Sequence, residues 1–173
     1  MANTLILISS VTVGAGGSAS IDFTSIPSTY TDLKLVYSLR NNRTDGNSGY
    51  GYITLNSSTA SFTVRGFYDT GNGGIATDIT TSNYFAYGIN TDLLTASIFS
   101  NGELYICNYA GSTNKPWYSD NAGESAEATN PFREIHAGVW ANSAAITSIS
   151  LTTQSTKVFK QYSTAYLYGI KNS

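Results

Sequence analysis

The feature that most constrains this chain is a repeated alternation of residues at a period of two, with no stretch of its 173 residues carrying an apolar stripe at helical spacing. The C-terminal end expresses it plainly. From Ala145 to Leu151, residues Ala145, Thr147, Ile149 and Leu151 fall on one side and Ile146, Ser148 and Ser150 on the other. In a second run Thr164, Tyr166, Tyr168 and Ile170 oppose Ala165, Leu167 and Gly169. Strands placed this late must pair with segments laid down much earlier, so the sheet is expected to close by long-range pairing.

The same reading runs along the chain. Leu5–Val13 is a strand candidate whose Leu5, Ile6, Leu7 and Ile8 are apolar on both faces, so it is either a central strand or one covered by something else. A short strand surrounds Ile21 and Phe23, and Leu33, Leu35, Tyr37 and Leu39 then alternate with Lys34, Val36, Ser38 and Arg40. Asn41–Gly49 reads as a loop, Tyr50–Leu55 and Phe62–Tyr68 as strands, and Thr70–Asn83 as a long loop. Further strands are expected at Tyr84–Gly88, Leu93–Phe99 and Glu103–Tyr109, the last two joined by a tight turn at Asn101 and Gly102. Lys115–Asn121 reads as a strand led by Pro116 and is therefore placed at a sheet edge. Residues 122–130 contain enough helix formers for one turn at most. In Phe132–Trp140 the set Arg133, Ile135, Ala137 and Val139 reads as the core face. Ten or so short strands separated by turns imply an all-β, antiparallel, single-domain β-sandwich over residues 1–173, jelly-roll-like, with residues 1–13 as a possible anchoring strand.

Composition narrows the function classes. Charged residues make up 12%, the formal net charge is −2 and Tyr contributes 13 residues. Such a chain has no electrostatic footprint for nucleic acid or an anionic membrane, and no leader or spanning segment is expected. The single cysteine, Cys107, excludes an intramolecular disulfide. With one His and one Cys no transition-metal cage can be drawn, and no cofactor is expected. His136 lies two residues from Glu134 on one strand face, either as a general base or as a polar partner on a solvated face. Asn41, Asn42, Asp45 and Asn47, like Asp69 with Asn72, have oxygen ligands without calcium-loop spacing. Aromatic pairs such as Tyr50 with Tyr52, Tyr84 with Tyr87, Trp117 with Tyr118, and Tyr166 with Tyr168, together with Trp140, suit either sheet packing or a platform for sugars or protein.

The runs Thr12–Arg40, Gly111–Lys115, Ala137–Thr156 and Gln161–Ile170 resemble a family of small virion proteins of tailed bacteriophages, known from marine and cyanobacterial phages. The likeness is densest at Ile21–Arg40 and Ala137–Ile170, and Asn41–Asn83 departs most. The resemblance implies a non-enzymatic, all-β structural protein. Two stations are compatible with it: a head decoration (cement) protein bound outside the major capsid lattice, and a tail- or fibre-associated receptor or glycan-binding module. The compact size and the lack of a rod-forming repeat favour the decoration protein, with the major capsid protein as partner, a homotrimer as assembly and the virion surface as location. Leu5, Ile6, Leu7, Ile8, Val11 and Val13 are the expected partner-facing residues.

Overall fold

The computed structural model describes residues 4–46, 49–69, 75–82, 85–124, 131–154 and 156–171. Among them are twelve strands and no helix: β1 (Leu5–Thr12), β2 (Ser20–Phe23), β3 (Asp32–Leu39), β4 (Gly49–Leu55), β5 (Phe62–Asp69), β6 (Ile75–Ser82), β7 (Phe85–Ile89), β8 (Ser100–Ile106), β9 (Lys115–Glu124), β10 (Pro131–Trp140), β11 (Ile149–Thr153) and β12 (Thr164–Ile170). They form the expected two-sheet antiparallel sandwich. The sheets are unequal, one of eight strands in the order β1-β12-β3-β8-β9-β10-β5-β6 and one of four in the order β2-β11-β4-β7. The small sheet meets the large one through β2 against β1 and β7 against β9.

Alternation explains the core. On β3, Leu33, Leu35, Tyr37 and Leu39 are buried and face Ile21, Phe23, Ile53, Leu55, Ile149 and Leu151 of the small sheet. Each such side chain contributes about 1.5–3 kcal/mol by leaving water. Both C-terminal strands are central: β12 lies between β1 and β3, and β11 between β2 and β4. Ala165 and Leu167 supply the core face of β12.

Several expectations are corrected. Leu93–Phe99 is a loop, and Asn101 and Gly102 lie inside β8, with Gly102 opposite Tyr37. The glycine serves packing rather than a turn, because a Cβ there would come within 2.5 Å of the Tyr37 hydroxyl oxygen. Strand β9 is central, between β8 and β10. Pro116 is tolerated because its carbonyl accepts from Cys107 N–H at 3.0 Å just past the last β8 ladder pair, Ile106 with Trp117, where its missing N–H breaks no ladder. The segment expected as a loop before residue 83 contains β6, an edge strand whose sequence is rich in β-branched Ile and Thr. Ala122–Glu124, expected to begin a helical turn, continue β9; residues 125–130 lie outside the described residues. Strand β11 begins only at Ile149, because Asn56 pins the preceding residues. Its Oδ1 accepts from Thr147 N–H (2.8 Å) and Ser148 N–H (3.1 Å), and its Nδ2 donates to Ala145 O (2.8 Å).

On β10 the expected phase is inverted. Phe132, His136 and Trp140 are buried, whereas Arg133, Ile135 and Ala137 are exposed. Hydropathy misleads here because the inner face accommodates an aromatic and polar set: Trp140 stacks on Phe62 at 6.1 Å, and the His136 ring lies where a Cβ on Gly66 would be.

The loop between β7 and β8 is organised by Arg40, at the end of β3. Its buried guanidinium donates to Leu94 O (3.0 Å), Thr95 O (2.8 Å) and Ile98 O (2.7 Å), and its Nε to Asp92 Oδ1 (3.3 Å). Lys160 also pairs with Asp92, at 2.6 Å. Replacing Arg40 with Met keeps the volume of the stem but leaves three carbonyls without this donor. We expect Arg40→Met to lose about 3 kcal/mol or more in urea unfolding, with amide exchange accelerating first across residues 91–99.

Candidate functional site

The six residues expected to face a partner separate into two groups. Strand β1 is an edge strand, paired only with β12, so it is not the central strand its two apolar faces allowed. Leu5 and Leu7 point to the outer face and are 49% and 51% exposed. A register shift between Leu7 and Ser9 marks a bulge that resets the alternation, so that Val11 as well as Ile8 packs partly buried against the core; Ile6 is half-buried. Val13 is fully part of the core, held by Val13 N–H to Ser163 O at 2.8 Å, and offers nothing to a partner. The exposed edge of β1 carries no charge and no proline, devices by which sheet edges usually resist pairing.

Leu7 opens onto a surface that hydropathy alone did not reveal. On the outer face of the large sheet the pairing register lines up Leu7, Tyr168, Lys34, Tyr105, Tyr118 and Ala137 across β1, β12, β3, β8, β9 and β10. The adjoining row runs through Tyr166, Val36, Glu103, Asp120, Ile135 and Phe67. Tyr105 and Tyr118 stack nearly parallel at 5.4 Å, which commits one ring face of each to the other. Beside them Ile135 and Phe67, directly opposed, are 43% and 60% exposed. Lys34–Glu103 (2.7 Å) and Arg133–Asp120 (2.7 Å) neutralise four of the charges on this face. Exposed apolar and aromatic side chains of this kind, set among charges that are already paired, suit a protein-contact face. Cross-strand partners follow from register, which an alternation pattern within one strand does not contain.

The catalytic candidates lie on the opposite, inner face. His136 sits in the large sheet beside Ser119 of β9 and two residues from Glu134, a Ser–His–Glu neighbourhood; it is buried rather than solvated, which corrects the expectation for this face. Ser119 is fully buried, however, and its hydroxyl has no hydrogen-bond partner among the described residues, so His136 does not engage it. Glu134 is used elsewhere. Its Oε2 accepts from Gly88 N–H (2.7 Å) and from Asn121 Nδ2 (3.3 Å), while Asn121 Nδ2 also donates to Gly88 O (2.9 Å). Gly88 lies on the free edge of β7, so these side chains satisfy the backbone groups that the small sheet leaves unpaired there. Nearby, Tyr37 and Tyr87 pack at 5.1 Å, and burial, reinforced by the Glu134 carboxylate, raises the Tyr37 phenol above its usual range.

The polar loop after β3 is likewise structural. Asn41 Nδ2 donates to Thr153 Oγ1 (3.1 Å) and Asn42 Oδ1 accepts from Val158 N–H (2.9 Å). Arg43, at 2.8 Å, hydrogen-bonds Asp45 and with Lys157 holds its carboxyl below the usual carboxylate range. Among the described residues no three acidic, His or Cys side chains gather as metal ligands. Asn47, Asn72 and Tyr84 lie outside the described residues. Cys107 is half-buried and its thiol is shifted upward, chiefly by desolvation. The chain matches no protein-family model and no curated protein.

The edge-sealing role of Glu134 is testable. Glu134→Leu leaves Gly88 N–H without its acceptor and is expected to cost about 1–3 kcal/mol in urea unfolding, whereas Glu134→Gln, which keeps an acceptor oxygen, costs less. Equal losses in the two variants would show that charge, not the hydrogen bond, matters.

Proposed function

We propose that this chain is a non-enzymatic structural protein of a tailed-bacteriophage particle, a decoration protein that lies on the outside of the major capsid lattice and ties its subunits together. The observation that carries the reading is the outer face of the large sheet, where Leu5, Leu7, Tyr118, Ile135, Phe67 and Tyr166 are exposed together on one side of one rigid sheet. A catalytic protein needs a cleft with an accessible nucleophile or base; here the Ser119 and His136 side chains are buried and Glu134 is occupied by Gly88 and Asn121. The resemblance of Ile21–Arg40 and Ala137–Ile170 to phage virion proteins supports the particle as the setting. A decoration protein repeated around local three-fold positions would assemble as a homotrimer, with β1 at the lattice contact.

The reading predicts that Leu5→Lys/Leu7→Lys and Ile135→Lys variants fold with wild-type dichroism and unfolding midpoint, since all three side chains are largely outside the core, yet occupy purified particles at well under a tenth of the wild-type level. Quantitative mass spectrometry of particles measures this directly. Wild-type occupancy by all variants, or a copy number of a dozen or fewer per particle, would remove the decoration reading.

A further inference from the structure

The outer face of the four-stranded sheet differs in kind from that of the large sheet. Its three best-described strands turn outward Asp22 from β2, Ser150 and Thr152 from β11, and Tyr50 and Tyr52 from β4, with no lysine or arginine among them. We infer that this face binds a neutral, hydroxyl-rich saccharide.

Two features go beyond those of an ordinary solvated sheet. Asp22 is held as a fixed acceptor, with Oδ2 taking a hydrogen bond from Ser20 Oγ and Oδ1 one from Ser150 Oγ, both at 2.5 Å. An ionised carboxylate has about four acceptor positions, so two remain for ligand hydroxyls, which are donors of the right kind. At the other end Tyr50 is 47% exposed on the same face as Tyr52, and its backbone is fixed in both directions by Gln154, through Gln154 N–H to Tyr50 O (3.0 Å) and Tyr50 N–H to Gln154 Oε1 (2.9 Å). The ring face of an exposed tyrosine gains nothing from water but suits the C–H face of a sugar ring, and its hydroxyl suits the sugar's polar rim. From Asp22 to Tyr52 is two strands across and two residues along, about 12 Å, a span that a few linked sugar rings cover. The chemistry selects the ligand class. A single carboxylate disfavours anionic glycans, and these residues form no metal cluster and present no aliphatic surface for a protein core. Because the acceptor and the backbone that carries the ring are already held, ordering free energy is spent on binding only at the tyrosine side chain.

The test is a titration of the isolated, isotope-labelled protein with maltohexaose, cellohexaose and mannohexaose, followed by amide chemical shifts. At least one is expected to bind with a dissociation constant of about a millimolar or tighter, shifting amides within residues 20–22, 50–54 and 150–154. Tyr50→Ala and Asp22→Asn, both on exposed side chains, should each weaken it about tenfold or more, while Tyr118→Ala on the opposite face leaves it unchanged. The inference is overturned if none of the three sugars binds at about 10 mM, if shifts map to the large-sheet face, or if Tyr50→Ala binds normally. Concentration-dependent shifts at these amides without sugar would overturn it too, naming a second copy of the chain as the occupant.

Discussion

The antiparallel insertion of the last two strands into the middle of both sheets is the constraint on which the rest depends. Strand β2 has no ladder to β4 except through β11, and β1 none to β3 except through β12. The segment between β11 and β12 is sewn to the end of β3. Lys160 N–H donates to Arg40 O (2.8 Å), and Ser163 Oγ both accepts from Arg40 N–H and donates to Arg40 O, each at 3.1 Å. Phe159, fully buried, bridges to Ser18 and Asn41. These contacts join residues more than a hundred positions apart, so their loop-closure entropy is met late and all at once. The N-terminal two-thirds of the chain cannot complete either sheet by itself.

With two unequal sheets, the polar groups at their borders have to be satisfied by side chains, and the molecule does this with charged and amide groups. Arg40 gathers the carbonyls of the β7–β8 loop; Lys115, fully buried, does the same for Gly111 O (2.7 Å), Thr113 O and Asn142 O (3.3 Å), joining the turn before β9 to the chain after β10. Desolvation pushes the Lys115 ammonium below its usual range, the cost of placing a charge where only carbonyl dipoles surround it. Asp32 ties the turn after β8, accepting from Asn108 N–H (2.7 Å) and from the Tyr105 hydroxyl (2.7 Å). Removing Arg40 or Lys115 leaves three carbonyls without this donor, and removing Asp32 leaves Asn108 N–H and the Tyr105 hydroxyl without this acceptor. The charge-poor composition is therefore not a lack of electrostatics: several of the few charges are spent inside.

This division explains what was legible. Strands whose inner set is aliphatic, such as β3 with Leu33, Leu35 and Leu39, show their phase in the sequence, and β12 is legible as a late strand needing distant partners. Strand β10 reads in reverse from its sequence, because the outward Ile135 and Val139 look more like core than the inward Glu134, His136 and Gly138. Those inward residues are explained only by what lies across from them: the edge of β7 for Glu134, and Gly66 for His136. Asn101–Gly102 and Pro116 carry strong local signals for a turn and an edge, but Tyr37 needs the glycine and the end of β8 tolerates the proline. Of the six candidate contact residues, Leu5 and Leu7 are outward and Val13 is core, a difference set by the bulge near Ile8, which no alternation pattern announces.

The outward apolar residues follow from the same topology. An eight-stranded sheet covered by four strands must leave one whole side uncovered, and nothing in folding alone requires that side to hold Phe67, Ile135, Tyr118 and Leu7. Its ion pairs do not explain it through stability. Lys34–Glu103 and Arg133–Asp120 are partly or largely solvated, and pairs of that kind contribute about 0–1 kcal/mol. What they do is cancel charge beside the stacked tyrosines, leaving a surface of low net charge that loses little on desolvation against another protein. The small sheet, by contrast, turns out hydroxyls and a single carboxylate that would be costly to bury without partners. The two outer sides thus differ in what they can be covered by, and that difference orients the molecule: the wide sheet suits a contact with protein, and the narrow one suits water or a ligand made of hydroxyls.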